Sequence, residues 1–254
     1  MKRRGMTEIS TIKAVSHVIG RTDWDEACTK EINPKVQYHF CNESLRDSFY
    51  AGSWEYQNCE KHTIFMSQAA TPIKGLHFML RAMPEILKNY PDAHLYVAGN
   101  DLTKTDSFYG KLKISSFAKY IKELISEYGL EGKVTFTGSL TEQKMKERFL
   151  KSNVFVSPST IENSPNSLGE AMLLGVPCIS SDVGGVKNLL KHEEEGFVYQ
   201  TDAPYMLAYY MKKVFAMEKH AETLGARAKE RAIKTHNREQ NLEVLLKIYE
   251  DILK

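Results

Sequence analysis

Ser157-Pro-Ser-Thr-Ile-Glu-Asn-Ser-Pro-Asn-Ser-Leu-Gly-Glu-Ala-Met-Leu-Leu-Gly-Val-Pro-Cys-Ile-Ser180 reads as the end of a strand, a polar loop, a helix, a glycine stop and the next strand. Ser164 before Pro165 predicts a helix N-cap with proline at the first helical position, and Gly175 predicts the helix end. A helix therefore opens at the carboxyl end of a strand. Its first amides, around Asn166, Ser167 and Leu168, and the positive end of its dipole favour a phosphate there.

Outward from this stretch the same alternation continues. Short apolar runs suited to buried strands lie at 63–67, 94–99, 133–138, 154–157 and 176–180, with a weaker one at 196–199. Between them, 75–90, 117–128, 141–151 and 165–174 read as helices; Leu76, Leu80, Met83 and Leu87 make the apolar stripe of the first. Strand alternating with helix predicts an α/β fold, a Rossmann-like parallel sheet with helices on both faces. In such sheets ligands collect beyond the carboxyl ends of the strands. Three further helices are expected at 204–217, 219–234 and 238–253. The last should pack through Leu242, Leu245, Leu246, Tyr249 and Ile252, and Tyr199, Tyr205, Tyr209 and Tyr210 should pack in the same region.

The first sixty residues differ. A strand at 17–21, a helix at 23–31 and a strand at 36–40 are too little for a second layered domain, so residues 1–60 read as the remnant of another domain and 61–254 as the main one. At 254 residues the chain can hold one large domain or two small ones.

Composition excludes more than it identifies. Lys and Arg number 34 against 32 Asp and Glu, a net charge of +2, which gives no electrostatic ground for nucleic acid or an anionic membrane as partner. Cys28, Cys41, Cys59 and Cys178 form no CxxC pair and the eight histidines no HxxxH pair, so neither a zinc site nor a disulfide framework is expected. The basic start, residues 1–5, is not followed by an apolar signal segment, and no run is long enough to span a bilayer. These features predict a soluble, cytoplasmic chain. Lys111, Lys113, Lys119 and Lys122, with Arg227, Lys229, Arg231 and Lys234, read as solvated helix faces, or as a peripheral contact if the whole protein works at a membrane surface.

Three segments carry candidate chemistry. Glu162 lies in the loop before the 165–174 helix and Glu170 within it, with seven residues between them. Ionised carboxylates only accept hydrogen bonds, so beside an anion site their natural partners are hydroxyl groups attached to the phosphates. The spacing alone fits two solvated glutamates equally. In the loop 67–75, Lys74 offers a phosphate a point charge and Gly75 relieves crowding at the helix start, though a solvent-facing lysine is the plain alternative. Gly184 and Gly185, after a later strand, mark either a close approach of backbone to ligand or a tight turn.

Taken together and in this order, these segments resemble the C-terminal, nucleotide-sugar-binding half of a retaining GT-B glycosyltransferase of family four, of bacterial polysaccharide type. The resemblance rests on the Glu162 to Glu170 pair in its Ser-Pro-Ser-Thr-Ile-Glu and Gly-Glu-Ala-Met-Leu-Leu-Gly-Val-Pro context, on Ser181-Asp-Val-Gly-Gly-Val186, on Glu195-Gly-Phe-Val198 and on Lys74-Gly75 upstream. It implies transfer of a hexose from a nucleoside diphosphate sugar to an acceptor hydroxyl with retention, the donor being a co-substrate and no metal or other cofactor being required. Glu170 would hold the ribose and Glu162 the donor sugar, with Lys74 on the diphosphate. Gly75 and the segment of Asn166, Ser167 and Leu168 would assist, Leu140 would border the base, and Gln68 and Asn163 would complete the donor site. Gln68 stands where the family commonly has an arginine, and Asn163-Ser164-Pro165 replaces its usual glycine and aromatic. The implied partners are the donor and a carbohydrate or lipid-linked acceptor, in polysaccharide or lipopolysaccharide synthesis in the cytoplasm or at the inner membrane. Such an enzyme joins two halves, and Val18-Ile-Gly-Arg-Thr-Asp-Trp-Asp25 and the segment 38–50 resemble the end of the first, so the chain is expected to be truncated and inactive alone. The rival readings are a non-catalytic nucleotide-sugar-binding domain and a GT-B-type nucleotide-sugar epimerase.

Overall fold

A computed structural model describes residues 2–104 and 115–254, the side chains of residues 2–4 excepted; Lys111 and Lys113 lie outside the described residues. The chain opens with helix α1 (Lys2–Ala14), for which the sequence reading made no provision. Strand β1 (His17–Gly20), helix α2 (Asp23–Ile32) and strand β2 (Gln37–Phe40) follow as a right-sized parallel βαβ unit, and β1 and β2 pair only with each other. Thr22 starts α2 through a capping box with Asp25, which fixes where the chain turns from β1 into the helix.

The main sheet is built from β3 (Glu60–Met66), β4 (His94–Val97), β5 (Val134–Phe136), β6 (Ser152–Ser157), β7 (Cys178–Ser181) and β8 (Phe197–Tyr199). All pairings are parallel and the spatial order is β5-β4-β3-β6-β7-β8. Strand order therefore reverses between β3 and β6, the place where an open parallel sheet leaves a crevice above its carboxyl ends.

Both faces are buried, as a parallel sheet requires. Side chains alternate along β3: Ile64 and Met66 join one core with α3 (Leu76–Leu87), α4 (Ser116–Glu127) and α8 (Pro204–Met217), whereas Phe65 enters the other. That second core contains α5 (Glu142–Lys151), α6 (Asn166–Leu174) and α9 (Ala221–Thr235), with Phe65, Phe149 and Phe155 packed edge to face or tilted. A short helix α7 (Val186–Leu189) links β7 to β8, and α10 (Arg238–Ile252) ends the chain.

The strands and helices expected from periodicity are present, with shifts at their ends. Pro165, not Ser164, is the capping residue of α6, and no side chain caps it; the Pro165 carbonyl instead accepts from the Leu168 and Gly169 amides at 3.0 and 3.2 Å. A 3-10 turn at Glu218–His220 delays α9 to Ala221. The larger correction concerns α10: Leu242, Leu246, Tyr249 and Ile252 are exposed, because only Ile248 of this helix is fully buried against the fold. Tyr199 is buried and Tyr210 stacks on Phe197 at 5.0 Å, but Tyr205 and Tyr209 face outward. Among the charged faces, Lys119, Lys122, Arg227 and Lys234 are exposed, while Lys229 and Arg231 hydrogen-bond to the carbonyls of Gly52 and Asn188.

Candidate active site

The loop that follows β3 and the loop that follows β6 meet above the crevice between those strands, and they bring Lys74 and Glu162 together. A 3-10 turn at Pro72–Lys74 ends in Gly75, whose φ of 75° is the left-handed conformation from which α3 departs. Contact with the second loop is close: a Cβ at Gly75 would lie 1.7 Å from the Pro158 carbonyl oxygen. Lys74 Nζ then reaches Glu162 Oε1 at 2.5 Å, and Ser159 Oγ donates to the same oxygen at 2.8 Å.

Glu170 enters from the second turn of α6, only 5% exposed, and accepts Arg46 Nε at 2.6 Å and Nη2 at 2.7 Å through its two oxygens. The Glu170 hydrogen bonds raise the Arg46 pKa above its ordinary value, against the opposing effect of burial. Arg46 had no signal in the sequence, because it comes from the segment before the main sheet and meets Glu170 across 124 positions. Its fold-specific support is a 3-10 turn at Asp47–Tyr50: the Leu45 amide donates to Tyr50 Oη at 3.0 Å, and Tyr50 Oη donates to the His236 carbonyl at 2.7 Å.

Gln68, Lys74, Glu162, Asn166, Ser167 and Glu170 line one open cavity of about 510 Å³, together with Arg46 and residues of the neighbouring loops. A second cavity of about 350 Å³ shares Gln68 and Lys74 with the first and is bordered by Leu140, Gly99 and Ala98 at the ends of β4 and β5. The two adjoin through Gln68 and Lys74, the first lined by charged and polar side chains and the second in part by Ala69, Ala70, Ala98, Leu140 and Met145.

Three expected residues stand elsewhere. Leu168 is fully buried in the core and its amide is used within the helix start, which leaves Asn166 and Ser167 as the residues of the first turn of α6 that line the cavity. Gly75 shapes the loop and does not line the cavity. Asn163 turns away from the cavity: its Oδ1 accepts Thr22 Oγ1 at 2.6 Å and its Nδ2 donates to Asp25 Oδ2 at 2.5 Å. Burial pushes the Asp25 carboxyl up, but hydrogen bonds from Tyr38, the Arg21 amide, Asn163 and the Thr22 amide outweigh it and leave the pKa below the ordinary value. Gly184 and Gly185 explain that turn. A Cβ on either would collide with the carbonyl oxygen of Glu162 or Asn163, at 1.7 and 2.4 Å, so the two glycines let this loop pack closely against Glu162 and Asn163.

Among the described residues no group of three His, Cys, Asp or Glu is placed to hold a metal ion. The cations on the cavity are the chain's own, Arg46 and Lys74.

Residues 55–231 match the family described as Glycosyl transferases group 1. The chain belongs to this family. Among curated relatives of this group 1 chain, an uncharacterized glycosyltransferase of Methanocaldococcus jannaschii is 29% identical over 160 residues, 63% of this chain and 37% of the relative. Among solved structures, sucrose-phosphate synthase from Thermosynechococcus elongatus superposes with a TM-score of 0.81 at 22% identity, covering 100% of this chain and 62% of that one. Anabaena HepE in complex with UDP-glucose superposes at 0.76 and 16% identity, covering 97% and 66%. Both have the same α/β architecture as this chain, that of GT-B glycosyltransferases. The group 1 chain thus spans little more than a third of that curated relative, and among its described residues no helix is long and apolar enough to cross a membrane.

Proposed function

We propose that the cavity between β3 and β6 is the donor site of a retaining hexosyltransferase, which takes a sugar from a nucleoside diphosphate sugar without a required metal. The observation that carries this is the convergence of Lys74, Glu162, Glu170 and the start of α6 on one cavity at the reversal of strand order. Negative charge grows on the departing diphosphate as the glycosidic bond breaks, and Lys74 with the Asn166 and Ser167 amides stabilises it in place. Glu162, oriented by Ser159, faces the sugar as it gains positive character. Glu170, deep in the cavity, accepts the ribose hydroxyls. Leu140 bounds the base in the adjoining cavity. The βαβ unit of residues 1–60 belongs, in this reading, to the acceptor half of a longer enzyme, and catalysis needs that half to close the cleft. Bacterial polysaccharide or lipopolysaccharide assembly, in the cytoplasm or at the inner membrane, is the matching setting.

Calorimetric titration with UDP-glucose and GDP-mannose tests the reading. One of them binds saturably, and Glu170→Ala and Lys74→Ala each abolish it while leaving the circular dichroism spectrum intact. A folded chain that binds neither donor nor any nucleoside diphosphate would end the proposal. In the full-length enzyme, product analysis separates transfer from epimerisation of the donor.

A further inference from the structure

Arg46, Lys74, Glu162 and Glu170 are the charged groups on the larger cavity, two cations and two carboxylates, so its lining has no net charge. Each cation is already committed, Lys74 to Glu162 and Arg46 to Glu170. A ligand carrying two or more negative charges therefore meets a neutral wall unless one of the pairs exchanges partners.

We infer that Arg46 is a second diphosphate ligand of this site, held on Glu170 until a nucleoside diphosphate displaces it. The inference rests on the donor-site reading and adds a residue and an exchange step to it. Arg46 is the more exposed of the two cations, its side chain 39% exposed against 27% for Lys74, so it has more open space to swing into. Its backbone is fixed by the Leu45 to Tyr50 hydrogen bond, by the Ser48 amide on Glu142 at 3.2 Å and by the Asp47–Tyr50 turn, so only the side chain has to swing. The Phe49 ring, 4.6 Å from the guanidinium carbon, gives a planar cation a surface to slide over.

Glu170 sets the order of events. A carboxylate only 5% exposed is costly to leave without donors, so Arg46 departs only when other donors arrive. Two hydroxyls on one ring can replace the two N–H groups of the guanidinium, and a bare phosphate cannot. The released guanidinium then presents its fork to phosphate oxygens, which it can grip at two points, an interaction beyond the neutral amide of Gln68 on the same wall. Only a ligand carrying both hydroxyls and diphosphate completes the exchange, and the site rejects inorganic phosphate and pyrophosphate.

The test compares affinity for UDP and GDP with that for uridine, guanosine and pyrophosphate, by calorimetry on the whole chain. For the preferred base, the diphosphate binds more tightly than the nucleoside, and Arg46→Gln reduces that preference about tenfold or more, the loss of a charged hydrogen-bonding partner. Arg46→Lys retains part of it, and Glu170→Gln, which frees Arg46, lets pyrophosphate bind. If Arg46→Gln binds diphosphate and nucleoside better by the same factor, Arg46 is merely a plug and the inference fails while the donor site stands. If Arg46→Gln does not fold, an unchanged diphosphate preference in Arg46→Lys together with no pyrophosphate binding by Glu170→Gln overturns it. Loss of all nucleotide binding in the folded wild-type chain would overturn both readings.

Discussion

Gly75 has almost no tolerance for a side chain. Its φ of 75° and the 1.7 Å approach that a Cβ would make to the Pro158 carbonyl mean that alanine forces apart the two loops carrying Lys74 and Glu162. Gly75→Ala is expected to cost at least about 2 kcal/mol, through both strain and collision, in chemical denaturation, and to weaken donor binding in the protein that remains folded. Single residues of the site were legible to different degrees. That Lys74, Glu162 and Glu170 stand near the ends of neighbouring strands and line one cavity was foreshadowed because each has a distinctive residue type in a local frame of strand, loop and helix. Asn163 lies in the same frame, yet its side chain was misplaced: its direction depends on Thr22 and Asp25, more than 130 positions away in sequence. Local patterns do not carry that distance.

At the scale of elements, the junction of α9 and α10 packs directly against α6, the helix that carries Glu170. His236 is 2% exposed, Nδ1 sits 2.9 Å from the Glu43 carbonyl, and a Cβ on Gly169 of α6 would meet its ring at 2.6 Å. Burial lowers its pKa below the ordinary value, with the Glu43 carbonyl opposing. His77 and His94 are lowered by burial too. As pH falls through about 6.5 the unfolded chain takes up protons before the folded one, so stability present at neutral pH is progressively lost below that value. Thermal melts should show a lower midpoint at about pH 5.5 than at about pH 7.5, and His236→Gln should shrink the difference without removing it. A midpoint that rose on acidification would contradict the sign. Element types and order were legible because hydrophobic period distinguishes strand from helix locally. The helix starts were less so, since whether Ser164 or Pro165 caps α6 depends on which carbonyl the first amides can reach.

Over the whole molecule, two bodies of unequal strength share one chain. The six-stranded sheet is buried on both faces, whereas β1 and β2 form a two-stranded sheet tied to the main body through Asn163, which bonds to Thr22 and Asp25, and through the Glu43 carbonyl beside His236. A two-stranded sheet has little stability of its own. Hydrogen exchange should therefore be faster at the Gln37 and Cys41 amides, which pair β1 with β2, than at the Phe155 amide in the main sheet, by about tenfold or more. Equal protection would mean that the chain opens as one unit. The outward face of α10 belongs to this scale as well. Its apolar spacing was visible in the sequence, but whether a stripe is covered depends on what the fold puts opposite it, and here Leu242, Leu246 and Tyr249 are exposed.

Sequence by itself determined the alternation of strand and helix, the parallel sheet, the helix opening at a strand end and the two glutamates around it, because each follows from periodicity or from residue chemistry within a few turns of chain. Only the tertiary structure decided that Arg46 sits on Glu170, that Asn163 faces α2 and that Gly184 and Gly185 seat a loop, because those contacts join segments brought together by the closure of the sheet and its helices.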